Sequence, residues 1–331
     1  MTKEQIDGVI QGFSDQKILV IGDAMIDSYL WGHIERMSPE APVPVVNVDN
    51  REERLGGAAN VALNCQSLSA TPFLCSVIGN DTRGDHFLQL MEESGLSSEG
   101  IVRLEDRPTT VKTRVISDDK HVLRVDQESL KPVAPESIME RLKTLFASHS
   151  FSAVIIEDYN KGLLTPELIE FAIALAHENG AIVSVDPKKE HYWMYKEVDL
   201  FKPNWKEMIE ALDGVYPAEA IAQAEIRSTA IRHTRLGLSA RCLLLTLSEH
   251  GVVFQNDEEE FHFPVYDRNI VDVSGAGDSV ISVATLVYAQ NMDASNVARF
   301  ANLAGGLVCE HVGVAPIDLQ MLRAEAHRHL T

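Results

Sequence analysis

An α/β fold, with a mainly parallel sheet covered by helices on both faces and a small β lid beside it, is what this 331-residue sequence predicts. Three observations carry the prediction. Short apolar runs recur along the chain and close on a polar residue. Stretches with helical spacing separate them. Two half-polar, β-type segments break the alternation. Strands buried on both faces read as continuous apolar runs, and intervening helices are the usual crossovers between parallel neighbours. A hydrophobic content of 45% suffices for one large domain, so residues 1–331 read as a single unit with lid segments at about 29–50 and 107–127.

The chain opens on the polar Met1-Thr2-Lys3-Glu4-Gln5-Ile6-Asp7, which lacks the apolar core of a signal peptide. No later apolar run reaches the ~20 residues that cross a bilayer, and a cytoplasmic protein is expected. Lys17-Ile18-Leu19-Val20-Ile21-Gly22-Asp23 is a buried central strand whose carboxyl end presents a polar group. Val43–Val48 reads as a short lid strand, followed by a helix over 57–69 and another over 84–94. Thr109–Val115 and His121–Val125 form the second lid piece, a hairpin across Ser117-Asp118-Asp119-Lys120. Next come a helix over 135–148, the strand Ala153–Glu157, a helix over 166–178, the strand Ala181–Asp186, and helices over 204–212 and 217–236. The strand Cys242–Thr246 precedes Val252–Phe254 and Phe261–Phe263, with the acidic Gln255–Glu260 as a solvated turn. Helices over 276–290, 295–311 and 316–329 complete the chain.

A formal charge of −20 argues against nucleic acid or an anionic membrane as partner. Any anionic substrate must be met by a local basic cluster. Cys65, Cys75, Cys242 and Cys309 are scattered without a metal-type pair and read as reduced, buried thiols.

The chemistry concentrates in Asp272-Val273-Ser274-Gly275-Ala276-Gly277-Asp278-Ser279, which leads straight into the apolar helical run Val280–Val287. The N–H groups of residues 275–278 are expected to be unpaired at a helix start, which makes an anion site. Gly275 and Gly277, flanking Ala276, let phosphate oxygens approach the backbone, and Asp278 stands beside them as a general base. For the octapeptide alone, an Asp N-cap on a buried helix is the competing reading.

This octapeptide resembles the C-terminal signature of the ribokinase-like (PfkB) sugar kinases, and Gly56-Gly57-Ala58-Ala59-Asn60 resembles their N-terminal signature. The resemblance implies a ribokinase-like three-layer sandwich, ATP with Mg²⁺, and Asp278 as catalytic base above an anion hole at 275–277. It also implies that Asp23, Asp27, Gly56, Gly57 and Asn60 contact sugar hydroxyls. Asn204-Trp205-Lys206-Glu207 matches the Asn-x-x-Glu element that arranges Mg²⁺ and its waters; a capping box is the alternative, and the two roles are compatible. On the nucleotide side the family places Asp186, Lys188, Asn204, Thr246, Ser248, Gly251, Gly275, Gly277 and Asn302, although Asn302 reads equally as a solvated helix residue. Asp272, Ser274, His311 and Gly313 lie where relatives carry a monovalent-cation loop, which brings in K⁺.

Arg36-Met37-Ser38-Pro39-Glu40-Ala41-Pro42-Val43-Pro44-Val45 resembles a segment of D-glycero-β-D-manno-heptose-7-phosphate kinases, as do Arg107–Arg114 and Asp158–Gly162. That resemblance implies transfer of the ATP γ-phosphate to the anomeric hydroxyl of heptose 7-phosphate, giving the 1,7-bisphosphate on the route to ADP-heptose and lipopolysaccharide core. The cations available for the 7-phosphate are Arg36, Lys112, Arg114, Arg124 and Lys161, with Lys161, beside Asn160, and Lys112 preferred. Relatives that join lids imply a homodimer through the β lid. Bifunctional relatives continue into a nucleotidyltransferase domain, and this chain is expected to lack that step. Another ribokinase-like sugar or nucleoside kinase and an idle sugar-phosphate-binding regulator are the rival readings.

Overall fold

The computed structural model of the chain describes residues 1–118, 120–310 and 313–331. Its strands are β1 (Lys17–Gly22), β2 (Ala24–Met37), β3 (Pro44–Gly57), β4 (Thr71–Gly79), β5 (Ile101–Leu104), β6 (Val111–Ser117), β7 (Lys120–Gln127), β8 (Ala153–Glu157), β9 (Ile182–Asp186), β10 (Leu200–Phe201), β11 (Cys242–Thr246), β12 (Val252–Gln255) and β13 (Glu260–Phe263). Its helices are α1 (Lys3–Gln11), α2 (Ala58–Ser67), α3 (Thr82–Glu93), α4 (Glu136–Ser148), α5 (Pro166–Glu178), α6 (Trp205–Ala211), α7 (Ala224–Leu238), α8 (Ala276–Tyr288), α9 (Ala294–Val308) and α10 (Leu319–His329).

The large sheet has the order β13-β12-β11-β10-β9-β8-β1-β4-β5. Every neighbouring pair from β11 across to β5 is parallel, and β12 and β13 close one end antiparallel. Alternation along each central strand splits the core into two layers. Ile18 and Val20 of β1 pack with α1, α2, α8 and α9, while Leu19 and Ile21 pack on the opposite face with α4 and α5. Both faces are therefore buried, which is why the strands read as unbroken apolar runs. The α/β sandwich expected from the sequence is the architecture observed.

The lid is larger than expected. Its sheet has four strands in the order β3-β2-β6-β7. β2 and β3 form a long antiparallel ladder from Ala24↔Gly57 to Met37↔Pro44, with irregularities at Trp31/Gly32 and Ile34/Arg36, and β6 lies parallel to β2. The expected strand at Val43–Val48 thus runs on to Gly57, and Asp27 sits inside β2 rather than in a loop after β1. The polar run Asn47–Arg54 masked this, because a lid strand open to water on one face need not be apolar.

Other boundaries also moved. The expected helix over 217–236 divides into a 3₁₀ turn at Ala218–Ala222 and α7, with Gln223 extended between them. Trp205 Nε1 donates to the Ala218 carbonyl and Arg227 to that of Ile221, so tertiary bonds take carbonyls a continuous helix would need. α1, β4, β5 and β10 had no counterpart in the sequence reading. α1 is held by a Thr2/Gln5 capping box and buries Ile6, Val9 and Ile10.

Candidate active site

Carboxyl ends of the parallel strands converge on one crevice, the usual ligand position in an open α/β sheet. Asp23 follows β1, Glu157 ends β8, Asp186 ends β9, Lys202 follows β10 and Thr246 ends β11. The N-terminus of α8 faces them. Gly275 is its N-cap with φ 78°, a conformation that only glycine adopts without strain. Ala276 N–H donates to the Val273 carbonyl at 3.3 Å, correcting the expectation that all of 275–278 would be unpaired. Among the described residues, no backbone carbonyl accepts from Gly277 or Asp278 N–H, which leaves these free for an anion. A Cβ at Gly277 would lie 3.4 Å from Asp186 Oδ2 and 3.5 Å from Lys202 Nζ, so the open space at this turn borders both groups.

Asp278 is buried in the first turn of α8 and takes a donor on each oxygen. Asn60 Nδ2 is 2.6 Å from Oδ2 and Tyr159 Oη is 2.9 Å from Oδ1. Burial pushes the Asp278 carboxyl above the usual carboxylate range, with the two donors opposing and Asp186 assisting. Burial and the neighbouring carboxylates drive the Tyr159 phenol well upward, which keeps it a neutral donor. Asn60 Oδ1 is buried with no hydrogen-bond partner among the described residues. Gly57, with φ 60°, ends β3 where a Cβ would meet the Asp23 carbonyl at 2.4 Å. The two signature segments, far apart in sequence, therefore meet at Asn60–Asp278.

Asp23 performs a different task from Asp27. Its carboxylate accepts the backbone N–H groups of Tyr159, Lys161 and Leu163 at 3.1, 3.0 and 3.3 Å, fixing the loop that carries Tyr159 and Lys161. Burial raises its pKa to about 6 against the pull of those donors. Asp27 is ion-paired with Arg114, which lies 5.4 Å from the centre of the Tyr29 ring. A Cβ at Gly56 would stand 2.0 Å from Asp27 Oδ2, so the glycine gives that carboxylate its room.

Of the cations, the structure gathers Lys112 and Lys161, whose ammonium groups share Glu128. Arg124 is exposed and paired with Asp126 at 3.1 Å. Arg36 lies apart, nine strand positions beyond Asp27 on β2, roughly 30 Å along the lid at ~3.3 Å per residue. Asn160 adopts a left-handed conformation (φ 53°) and its N–H bonds to Asp158.

On the nucleotide side, Lys188 pairs with Glu207 and lies 5.5 Å from the Tyr159 ring centre. Lys202, buried, contacts Asp186 Oδ2 at 2.8 Å. Burial opposes its charge, yet Asp186 and Glu207 hold its pKa above the usual lysine range. Asn204 and Glu207 form a complete capping box at 2.8 and 2.9 Å, so their oxygens reach other groups only through remaining lone pairs. Thr246 bridges to Asn204, Ser248 is exposed, and Gly251 (φ 86°) closes the tight turn after β11. Asn302 is buried, not solvated, and donates to the Pro264 carbonyl at 2.8 Å. Asp272 accepts from Ser274 and from Gly313 N–H; His311 lies outside the described residues.

Tyr159, Lys202, Glu157 and Arg107 had no assigned role in the sequence reading. Tyr159 and Arg107 had a signal, their places in Asp158–Gly162 and Arg107–Arg114. Lys202 and Glu157 acquire meaning from strand ends that meet in space.

A family model described as pfkB family carbohydrate kinase matches residues 15–320. The chain is 38% identical over 307 residues to "Bifunctional protein HldE" of Helicobacter pylori (strain ATCC 700392 / 26695), covering 92% of this chain and 65% of that one. The relative of the same name in Sulfurimonas denitrificans is 38% identical over 316 residues, with 95% and 65% covered. The chain therefore spans about two thirds of the length of these curated relatives. Among solved structures, phosphofructokinase-2 from Escherichia coli in complex with potassium superposes with a TM-score of 0.76 at 18% identity, covering 94% of this chain and 99% of that one. Ribokinase from Thermotoga maritima gives 0.68 at 18%, covering 93% and 98%. No described helix is long and apolar enough to cross a membrane.

Proposed function

The chain belongs to the pfkB family of carbohydrate kinases, and from that footing we propose that it transfers the γ-phosphoryl group of ATP to the anomeric oxygen of D-glycero-D-manno-heptose 7-phosphate. The observation that carries the reading is the Asp278 carboxylate, buried beside the free N–H groups of the α8 turn and held between Asn60 and Tyr159. Relatives named HldE support a heptose kinase of the ADP-heptose pathway, and the paired Lys112 and Lys161 supply a cationic seat for a second phosphate.

In this mechanism Asp278 accepts the proton of the anomeric hydroxyl while that oxygen attacks the γ-phosphorus in line. Charge on the moving phosphoryl oxygens is met by the Gly277 and Asp278 N–H groups and by Lys202, whose ammonium group borders the same turn. Asn60 Oδ1, still unpartnered, accepts from a neighbouring sugar hydroxyl and orients the ring. From the lid, the Asp27–Arg114 pair is the proposed further contact for the sugar.

ATP kinases of this kind work with Mg²⁺. The donor set fits: Glu157 Oε2 is buried without a hydrogen-bond partner among the described residues, its strand position pairs with Asp186, and both supply the oxygen ligands that a hard cation prefers. Burial and Asp186 push the Glu157 carboxyl well above its usual range, and a cation bound there would oppose that shift. Asn204 and Glu207 would hold the ion through water. When bound, it neutralises charge on the phosphate oxygens. The Asp272–Gly313 turn is the proposed seat of K⁺, a proposal supported by the potassium in the phosphofructokinase-2 structure.

The deciding experiment measures ATP consumption with heptose 7-phosphate, unphosphorylated heptose and fructose 6-phosphate, and identifies the product by phosphorus NMR. Rapid turnover only with the heptose phosphate, giving a 1,7-bisphosphate, is expected. Preference for an unphosphorylated sugar would transfer the reading to another member of the family, and failure to consume ATP with any sugar would favour a binding protein.

A further inference from the structure

The two lysines proposed to seat the substrate phosphate already hold an anion. Lys112 Nζ is 3.3 Å from Glu128 Oε2 and 3.3 Å from Asp126 Oδ2, and Lys161 Nζ is 2.9 Å from Glu128 Oε1. One carboxylate thus bridges both ammonium groups, an oxygen to each. The three side chains come from separate places, Lys112 from β6, Lys161 from the loop after β8, and Glu128 from just past β7. All are largely shielded, with exposures of 12%, 15% and 22%. Arg107 braces the arrangement by donating to the Lys161 carbonyl at 2.7 Å and the Ser129 carbonyl at 3.3 Å.

We infer that Glu128 is an internal counter-ion standing in for the substrate's phosphate, and that a phosphate monoester binds by displacing it from Lys112 and Lys161. The inference rests on the reading of these lysines as the phosphate seat. Two ammonium groups this close repel one another unless an anion lies between them. Glu128 supplies one negative charge, and a phosphomonoester above its second pKa of about 6 supplies nearly two with more acceptor oxygens. The phosphate therefore wins the exchange, whereas the neutral hydroxymethyl end of an unphosphorylated sugar cannot begin it. Glu128 is in this sense a specificity-determining residue. Although burial opposes it, Lys161 and Lys112 hold its carboxyl below the usual range, so it is charged wherever the enzyme works.

Calorimetric titration of heptose 7-phosphate, and separately of inorganic phosphate, into wild-type protein, Glu128→Gln, and Glu128→Gln combined with Lys112→Ala and Lys161→Ala tests the idea. The Gln variant keeps the shape and removes the competing charge. It should bind both probes about tenfold more tightly, a change of ~1.4 kcal/mol, and the gain should vanish in the combined variant. Unchanged or weaker binding by folded Glu128→Gln overturns the inference, as does a gain that survives loss of both lysines. If Glu128→Gln melts below the assay temperature, Glu128→Asp, which retracts the charge by one methylene, must show a smaller gain, and no gain overturns the inference. A wild-type protein inert toward the heptose phosphate, with the tenfold gain still seen for inorganic phosphate, would remove the proposed substrate and leave the counter-ion in place.

Discussion

In the proposed transfer Asp278 takes a proton from an alcohol while Asn60 and Tyr159 already occupy its two oxygens, so its basicity is a compromise between burial and donation. Asp278→Asn should keep affinity for both substrates and lose at least ~100-fold in turnover, the lower range for a positioned base; calorimetry beside steady-state rates checks this, and more than a tenth of normal turnover would remove Asp278 from that role. Tyr159→Phe deletes one donor that favours the ionised carboxylate. The Asp278 pKa then rises, and since the base works deprotonated, the acidic limb of the kcat/KM profile should move to higher pH by roughly half to one unit, for a hydrogen bond worth ~1 kcal/mol. An unmoved limb would show that Tyr159 serves packing alone. Lys112→Ala and Lys161→Ala should each raise the KM for the sugar phosphate roughly tenfold to a hundredfold and leave the KM for ATP nearly unchanged, as expected for a charge-assisted contact. Asp278 could be read from the sequence because its glycine turn, carboxylate and helix are contiguous. Lys202 could not: a lysine after a two-residue strand has no pattern of its own, and only the neighbouring end of β9 gives it Asp186.

At the scale of elements, one carboxylate holds the loop after β8 at three of its backbone N–H groups. Asp23→Asn would place an amide NH₂ against at least one of the backbone donors of Tyr159, Lys161 and Leu163, at a cost of ~1–3 kcal/mol. Denaturant unfolding should show that loss of stability, and the KM for the sugar phosphate should rise because Lys161 rides on the same loop. A variant as stable as wild type would place the loop's support elsewhere. Strands buried on both faces, β1, β8, β9 and β11, were legible as apolar runs, and α5, announced by Thr165 and Pro166, was legible to the residue. β10 is too short to leave a pattern. β3 was only partly legible, because six of the seven residues Asn47–Glu53, all but Val48, are polar or charged, a composition that suits a solvated face and gives no period to read.

For the whole molecule, the outer face of the lid is the surface open to a partner. Ile34, Val48, Leu123 and Val125 are exposed on it, and every position of β7 is open. An exposed apolar sheet of this kind invites pairing, and a twofold homodimer through the lid is the expected assembly. Asp substitutions at Val46 and Val122 should give a monomer near 36.6 kDa in size-exclusion chromatography with light scattering, and weaken sugar-phosphate binding at the same time. Wild-type protein that is already a fully active monomer at micromolar concentration would sink this expectation. The lid was foreseen as an addition to the sheet; its attachment was not. At its root, Tyr29 Oη accepts from Val314 N–H at 3.2 Å and Arg54 donates to the Val314 carbonyl at 2.7 Å, next to Gly313, whose N–H binds Asp272. The small sheet and the turn that leads into α8 are thus bolted to a common anchor. A swing from the root would break those bonds together, so bending is cheapest farther out, at the ladder irregularities at Trp31/Gly32 and Ile34/Arg36. Bent there, the lid would work like a forearm with a fixed shoulder, its tip free to travel while the Asp27–Arg114 pair stays on the near side of the elbow.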